Sequence, residues 1–228
     1  MKKGNKGKLY IGLAAAAVAV AVLALVLRPG TDAAPDADPA VPATIEMSHG
    51  VVLTHIGAYT GPFVEDGSDR PMENIAAVTL ENRGGDDIQL GRVTVAAEDG
   101  ASYSFEFTTL PAGESLSVLE VNGAAYDPAH GIIGAALDNV ALFPSPLTLC
   151  PDVFELSLAD GSIGVKNISG KAISGGRVFY KSISGSALVG GITYMTTVPA
   201  LDAGEEVTLS AGHFSLSGSR LMFVTYAE

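Results

Sequence analysis

An internal repeat constrains this chain more than any other feature. Sliding the sequence against itself by 85 positions pairs Val78-Thr79-Leu80-Glu81-Asn82 with Ile163-Gly164-Val165-Lys166-Asn167. The same shift pairs Gly85 with Gly170, Ile88 with Ile173, Gly91-Arg92-Val93 with Gly176-Arg177-Val178, and Gly100 with Gly185. Leu110-Pro111-Ala112-Gly113-Glu114-Ser115-Leu116 then matches Leu201-Asp202-Ala203-Gly204-Glu205-Glu206-Val207 at a shift of 91, which places six extra residues in the second copy around positions 186–194. A repeat of this length marks two units of one design.

Each copy reads as strands and turns. Apolar residues alternate through Ile75-Ala76-Ala77-Val78-Thr79-Leu80, Val93-Thr94-Val95 and Tyr103-Ser104-Phe105-Glu106-Phe107, with Gly, Asp and Asn between the runs. Asn82 or Asn167 ends one strand with a side chain able to bond nearby backbone, and Gly85 or Gly170 is expected to supply a positive φ for the reversal. The composition agrees: 27 Gly, 12 Pro and no Trp argue against a helical bundle. Short strands at roughly ten-residue spacing predict two tandem antiparallel immunoglobulin-like β-sandwich domains, all-β, over residues 44–149 and 150–228. The first copy also carries an addition from Ala124 through His130 to Leu142, where Asp127-Pro128 suits a helix N-cap and first position, so a short helix or lid is expected there. Pro144-Ser145-Pro146, close to Cys150-Pro151, reads as the joint between the copies.

Leu9 and Leu27 bound 19 consecutive uncharged residues, which at about 1.5 Å per helical residue match a bilayer core of about 30 Å. Lys2, Lys3, Lys6, Lys8 and Arg28 are the basic residues of the first 28, which hold no acid. Of the whole chain's 13 basic and 25 acidic groups, residues 29–228 therefore keep 8 and 25, net −17. The positive-inside rule then predicts a cytoplasmic basic N-terminus (1–8), a single transmembrane helix (9–27) and everything after Arg28 outside the cell. Cleavage near Ala33-Ala34 is the alternative fate of the apolar run. Residues 28–43, rich in Pro, Ala and Asp, form a stalk that cannot bury a core. So acidic an ectodomain excludes nucleic acid as a partner, and one cysteine, Cys150, supplies neither a disulfide within the chain nor a zinc site.

The second copy, with Gly164-Val165-Lys166-Asn167, then Val178-Phe179-Tyr180-Lys181 and Leu201-Asp202-Ala203-Gly204-Glu205, resembles FxLYD-type immunoglobulin-like domains. The whole chain is similar to single-pass surface proteins of clostridia-like Gram-positive bacteria. Lys181 stands where that motif carries an acid, and the first copy has Val93-Thr94-Val95 in place of the aromatics. The resemblance implies a sandwich fold at the cell surface, and it implies no catalytic residues and no cofactor.

The candidate sites are correspondingly sparse. Glu65, Asp66 and Asp69 offer hard oxygen ligands to Ca²⁺ on one loop, without EF-hand spacing; a solvated acidic loop between strands is the default reading. Histidines 49, 55, 130 and 213 are scattered and no Gly-x-Ser-x-Gly elbow exists, so no catalytic set is expected. Asn167-Ile168-Ser169 fits a glycosylation pattern, but Asn167 aligns with Asn82 and is expected to be structural. Arg177, Phe179, Tyr180 and Tyr194 are the expected partner-binding side chains, because Arg and aromatics dominate interface energetics. The expected role is a membrane-anchored extracellular binding or structural protein of the envelope, recognising a protein or glycan without catalysis. An accessory subunit of a transporter or sensor is the alternative.

Overall fold

The computed structural model describes residues 44–227, so the expected N-terminal segment, anchor and stalk lie outside the described residues. The alternating pattern becomes thirteen strands, with one 3₁₀ turn at Ser48–Gly50 and no α-helix among the described residues. The first copy forms β1 (Ile45–Glu46), β2 (Val51–Phe63), β3 (Arg70–Asn82), β4 (Ile88–Ala97), β5 (Ser102–Leu110), β6 (Ser115–Leu119) and β7 (Ile132–Leu142). The second forms β8 (Phe154–Ala159), β9 (Ser162–Asn167), β10 (Gly175–Ser184), β11 (Ala187–Val198), β12 (Glu206–Ser210) and β13 (Ser219–Ala227).

The repeat survives at the level of register. Val78 pairs with Val118 and Ile163 with Leu209; Val95 pairs with Tyr103 and Tyr180 with Tyr194. In each case one partner has moved by 85 and the other by 91. Each copy thus has two facing sheets: β2-β3-β6 and β5-β4-β7 in the first, β8-β9-β12 and β11-β10-β13 in the second. The first core runs between its sheets through Leu53, Val78, Leu80, Val93, Phe105 and Leu116; the second collects Phe154, Ile163, Val165, Val178, Tyr180 and Val224. The arrangement is all-β and β-sandwich-like.

Asn82 and Asn167 show why the repeat kept its landmarks. Both are wholly buried. Asn82 Nδ2 donates to the carbonyls of Asp86 (2.9 Å) and Leu110 (3.0 Å), and its Oδ1 accepts the Gly84 amide. Asn167 Nδ2 donates to Lys171, Leu201 and Asp202, and its Oδ1 accepts the Ser169 amide. The backbones of the same asparagines clasp the Gly-Glu turns, through Gly113 N to Asn82 O and Gly204 N to Asn167 O. Each side chain therefore satisfies buried backbone groups on two segments at once, and leaving one unmet would cost about 1–3 kcal/mol.

Two expectations need correction. Asp127 opens a turn rather than a helix: its Oδ1 accepts the Ala129 amide at 2.8 Å, and the chain continues into β7. β7 is the counterpart of β13, so the addition in the first copy is the preceding loop alone. A lone helical turn gains little on its own, whereas residues 132–142 gain a full ladder on β4. Nor does Gly85 share the positive φ of Gly170 (76°) at the reversal. The two copies are joined through their sheets. β6 pairs in parallel with β11 (Leu116 with Leu188, Ser117 with Val189), which fuses two sheets into one seven-stranded sheet, β1-β2-β3-β6-β11-β10-β13. The six extra residues build this fusion. They extend the β10–β11 hairpin past Tyr194 to Leu188 and Val189, the residues that meet β6.

Candidate functional site

The extended hairpin leaves a bulge. Register passes from Tyr180–Tyr194 to Ser182–Val189, so β11 carries extra backbone opposite Lys181. Lys181 is wholly buried, and its Nζ donates to the carbonyls of Ile192 (2.8 Å), Thr108 (2.9 Å) and Gly191 (3.2 Å). Three acceptors match the three protons of an ammonium, and one of them lies on β5 of the other copy. Glu65 approaches the same bulge from the loop after β2: its Oε1 accepts the Leu119 amide (2.7 Å) and its Oε2 the Gly191 amide (2.5 Å). A side chain at Gly191 would collide with the Glu106 carbonyl and the Glu65 carboxylate. Burial pulls the Lys181 pKa down from 10.5 to about 7 against the opposing charge of Glu65. Burial pushes Glu65 up, resisted by its two amide donors and by Lys181. Lys181 is thus a buried cation that staples two copies together.

Two clefts flank this staple. One, about 520 Å³, is polar, with Glu65, Asp66, Arg92 and Glu106 among its lining residues. The other is a groove of about 660 Å³ between the segment Phe143–Thr148 and the β10–β13 surface. Phe179 stacks on Phe223 in its floor (centroids 4.2 Å apart, planes at 13°), and Phe143 meets Phe223 edge-on at 5.1 Å. Leu90 and Pro146 add apolar wall, and Thr193 and Thr225 add hydroxyls. The linker wall is tied down where the Val224 amide donates to Thr148 O at 2.9 Å.

The expected partner-binding residues divide between two faces. Arg177 and Phe179 line the groove. Tyr180 points the other way into the second core, edge-on to Phe214, and Tyr194 lies between Tyr180 (5.5 Å) and His213 (4.5 Å) in a stack of three rings. Burial first, then Asp69 and the neighbouring acids, push the Tyr194 pKa up to about 12. Strand alternation separates what lay close together in sequence.

Glu65, Asp66 and Asp69 do not converge on a common centre. Glu65 turns inward as described; Asp66 accepts the Ser68 amide and pairs with Arg70 at 3.6 Å; Asp69 pairs with His213 Nδ1 at 3.4 Å. Among the described residues no group of three His, Cys, Asp or Glu side chains is arranged to hold a metal. His130 places Nε2 3.1 Å from Asp99 and Nδ1 3.1 Å from the buried Tyr103 hydroxyl, and neither His130 nor His213 lines the two clefts. Cys150 is half-buried, its thiol pKa raised by burial, with Sγ 3.7 Å from the Val224 carbonyl.

The Lys181–Glu65 arrangement escaped the sequence reading, although two signals marked it: six inserted residues, and a lysine where the first copy has Ala96. No protein-family model matches the chain, and no curated protein matches it.

Proposed function

We propose that this chain is a single-pass membrane protein with a cytoplasmic N-terminus, anchored by residues 9–27, whose two immunoglobulin-like sandwich domains recognise a partner outside the cell without catalysis. The observation that carries this reading is the groove at the joint of the copies, floored by Phe179 and Phe223 and walled by a fixed linker. Concave, mostly apolar surface with a few placed polar groups is the usual form of a binding site. Recognition rather than catalysis is favoured because His130 is occupied by Asp99 and a buried phenol, and His213 is stacked on Tyr194. The apolar run and the charge asymmetry around it support the anchor, and the FxLYD resemblance supports a place at the cell envelope.

The test is a pull-down from native envelopes with full-length protein and with full-length Leu90→Asp. Leu90 is exposed and lines the groove, so the change alters recognition with little effect on the core. A protein or glycan retained by the parent chain and lost by the variant supports groove recognition. A partner held equally by both removes the groove from the reading, and one lost only when residues 9–27 are exchanged for an unrelated anchor favours an accessory subunit instead.

A further inference from the structure

The charge at this groove differs from that of the rest of the molecule. Four of the five arginines among the described residues have a carboxylate within 4 Å: Arg70 with Asp66, Arg83 with Glu81, Arg92 with Glu106, and Arg220 with Glu114. Arg177 has none. The repeat gives the local reason. Arg92 pairs across the ladder with Glu106, and a shift of 91 carries Glu106 to Thr197, which is the ladder partner of Arg177. On its other side, where Arg92 faces Asp138, Arg177 faces Thr225. The second copy has therefore lost both carboxylates that face this position in the first. Among the described residues no Asp or Glu lines the groove, and Arg177 is the one charged residue that does.

An exposed guanidinium with no internal partner, set beside Phe179 and Phe223, selects a ligand that is negative at one end and apolar along its body. Resting on the reading that the groove is the recognition site, we infer that it binds a small apolar monoanion, with its carboxylate on Arg177 and its hydrocarbon body along Phe179, Phe223 and Leu90. The groove volume of about 660 Å³ lies within the usual small-molecule range. A peptide adding itself as a strand would need open sheet edge, and beside the groove the Val224 amide of β13 is already taken by Thr148.

The probe is octanoate, titrated by saturation-transfer difference NMR against the full chain in phosphatidylcholine nanodiscs, with empty nanodiscs as the blank and octanol as the neutral analogue. Thr197 is exposed, so Thr197→Glu restores the pairing of the first copy at no cost to the core; Arg177→Gln removes the charge directly. The expected result is octanoate binding above the blank, weakened about tenfold or more by either substitution, with octanol binding no better to the parent chain than to Arg177→Gln. Equal octanoate affinity in the parent and Thr197→Glu, or octanol binding as tightly as octanoate, overturns the inference. So does a short peptide acid that binds where octanoate does not. The pull-down with Leu90→Asp separates the two failures: if octanoate does not bind but that variant still loses a partner, the groove recognises something else.

Discussion

Replacing Lys181 by Met removes the buried ammonium while keeping most of its aliphatic length, and the consequence should depend on pH in a defined direction. In the fold Lys181 titrates near 7, and in the unfolded chain near 10.5. Between those values the unfolded chain binds more protons, so unfolding free energy rises with pH; below 7 the burial penalty is fully present, and above 10.5 it is gone. A fall from 10.5 to about 7 amounts to about 5 kcal/mol at about 1.4 kcal/mol per pH unit, so the span from about pH 7 to about pH 9.5 should recover about 3 kcal/mol. Losing the ammonium strips a donor from Thr108 O, Gly191 O and Ile192 O, at about 1–3 kcal/mol for each group left unmet. Thr193 and Thr108 hydroxyls still serve the first two. The cost of the unmet carbonyl does not vary with pH, so the slope isolates the lysine. Glu65 reinforces it: without Lys181 its raised pKa climbs further, and a raised carboxylate loses stability as pH increases. Urea unfolding of the parent chain and Lys181→Met, followed by circular dichroism at half-unit steps, measures the difference. It should grow in favour of the parent by about 3 kcal/mol over that range. A difference that stays constant or falls with pH would refute the account of Lys181 as a costly buried charge.

Three further outcomes are expected. Asn82→Ala and Asn167→Ala should each destabilise by about 3–5 kcal/mol, from several lost hydrogen bonds and a small cavity, and each should lower one shared urea transition because the sheet runs through both copies; two resolved transitions would contradict the fusion at β6 and β11. Gly191→Ala should cost about 1–3 kcal/mol or more through its collision with Glu106 O, whereas Gly85→Ala, with open space around it, should stay near zero in the same melt. The Cys150 thiol should react with iodoacetamide at pH 8 several-fold more slowly in the folded than in the urea-unfolded protein, because burial raises its pKa; equal rates would show that the thiol is open.

Much of the fold was legible because it rests on local chemistry. An asparagine that satisfies its own turn, a Gly-Glu turn that follows a strand and a period-two alternation act over a few residues, so they leave the same trace in both copies, and the structure keeps equivalent pairs such as Val78–Val118 and Ile163–Leu209. The Asp127-Pro128 signal is equally local and misled for that reason: a cap can be satisfied in a turn, and the ladder between β7 and β4 decided the outcome. The candidate site was legible only in part. Arg177 and Phe179 could be picked by type, but Tyr180 and Tyr194 share that type and face the other core.

By itself, then, the sequence determined two copies of one β design, the turns that mark them and the place of a six-residue difference between them. Only the tertiary structure decided that this difference fuses two sheets, that Lys181 and Glu65, 116 positions apart in the chain, both bond Gly191 at its bulge, and that Arg177 has no carboxylate partner among the described residues where Arg92 does. The physical reason is one of range. Turns and ladders within a copy are set by neighbours a few to a few tens of residues apart, whereas desolvation, ion pairing and the parallel seam depend on which surfaces of two separately specified units come into contact.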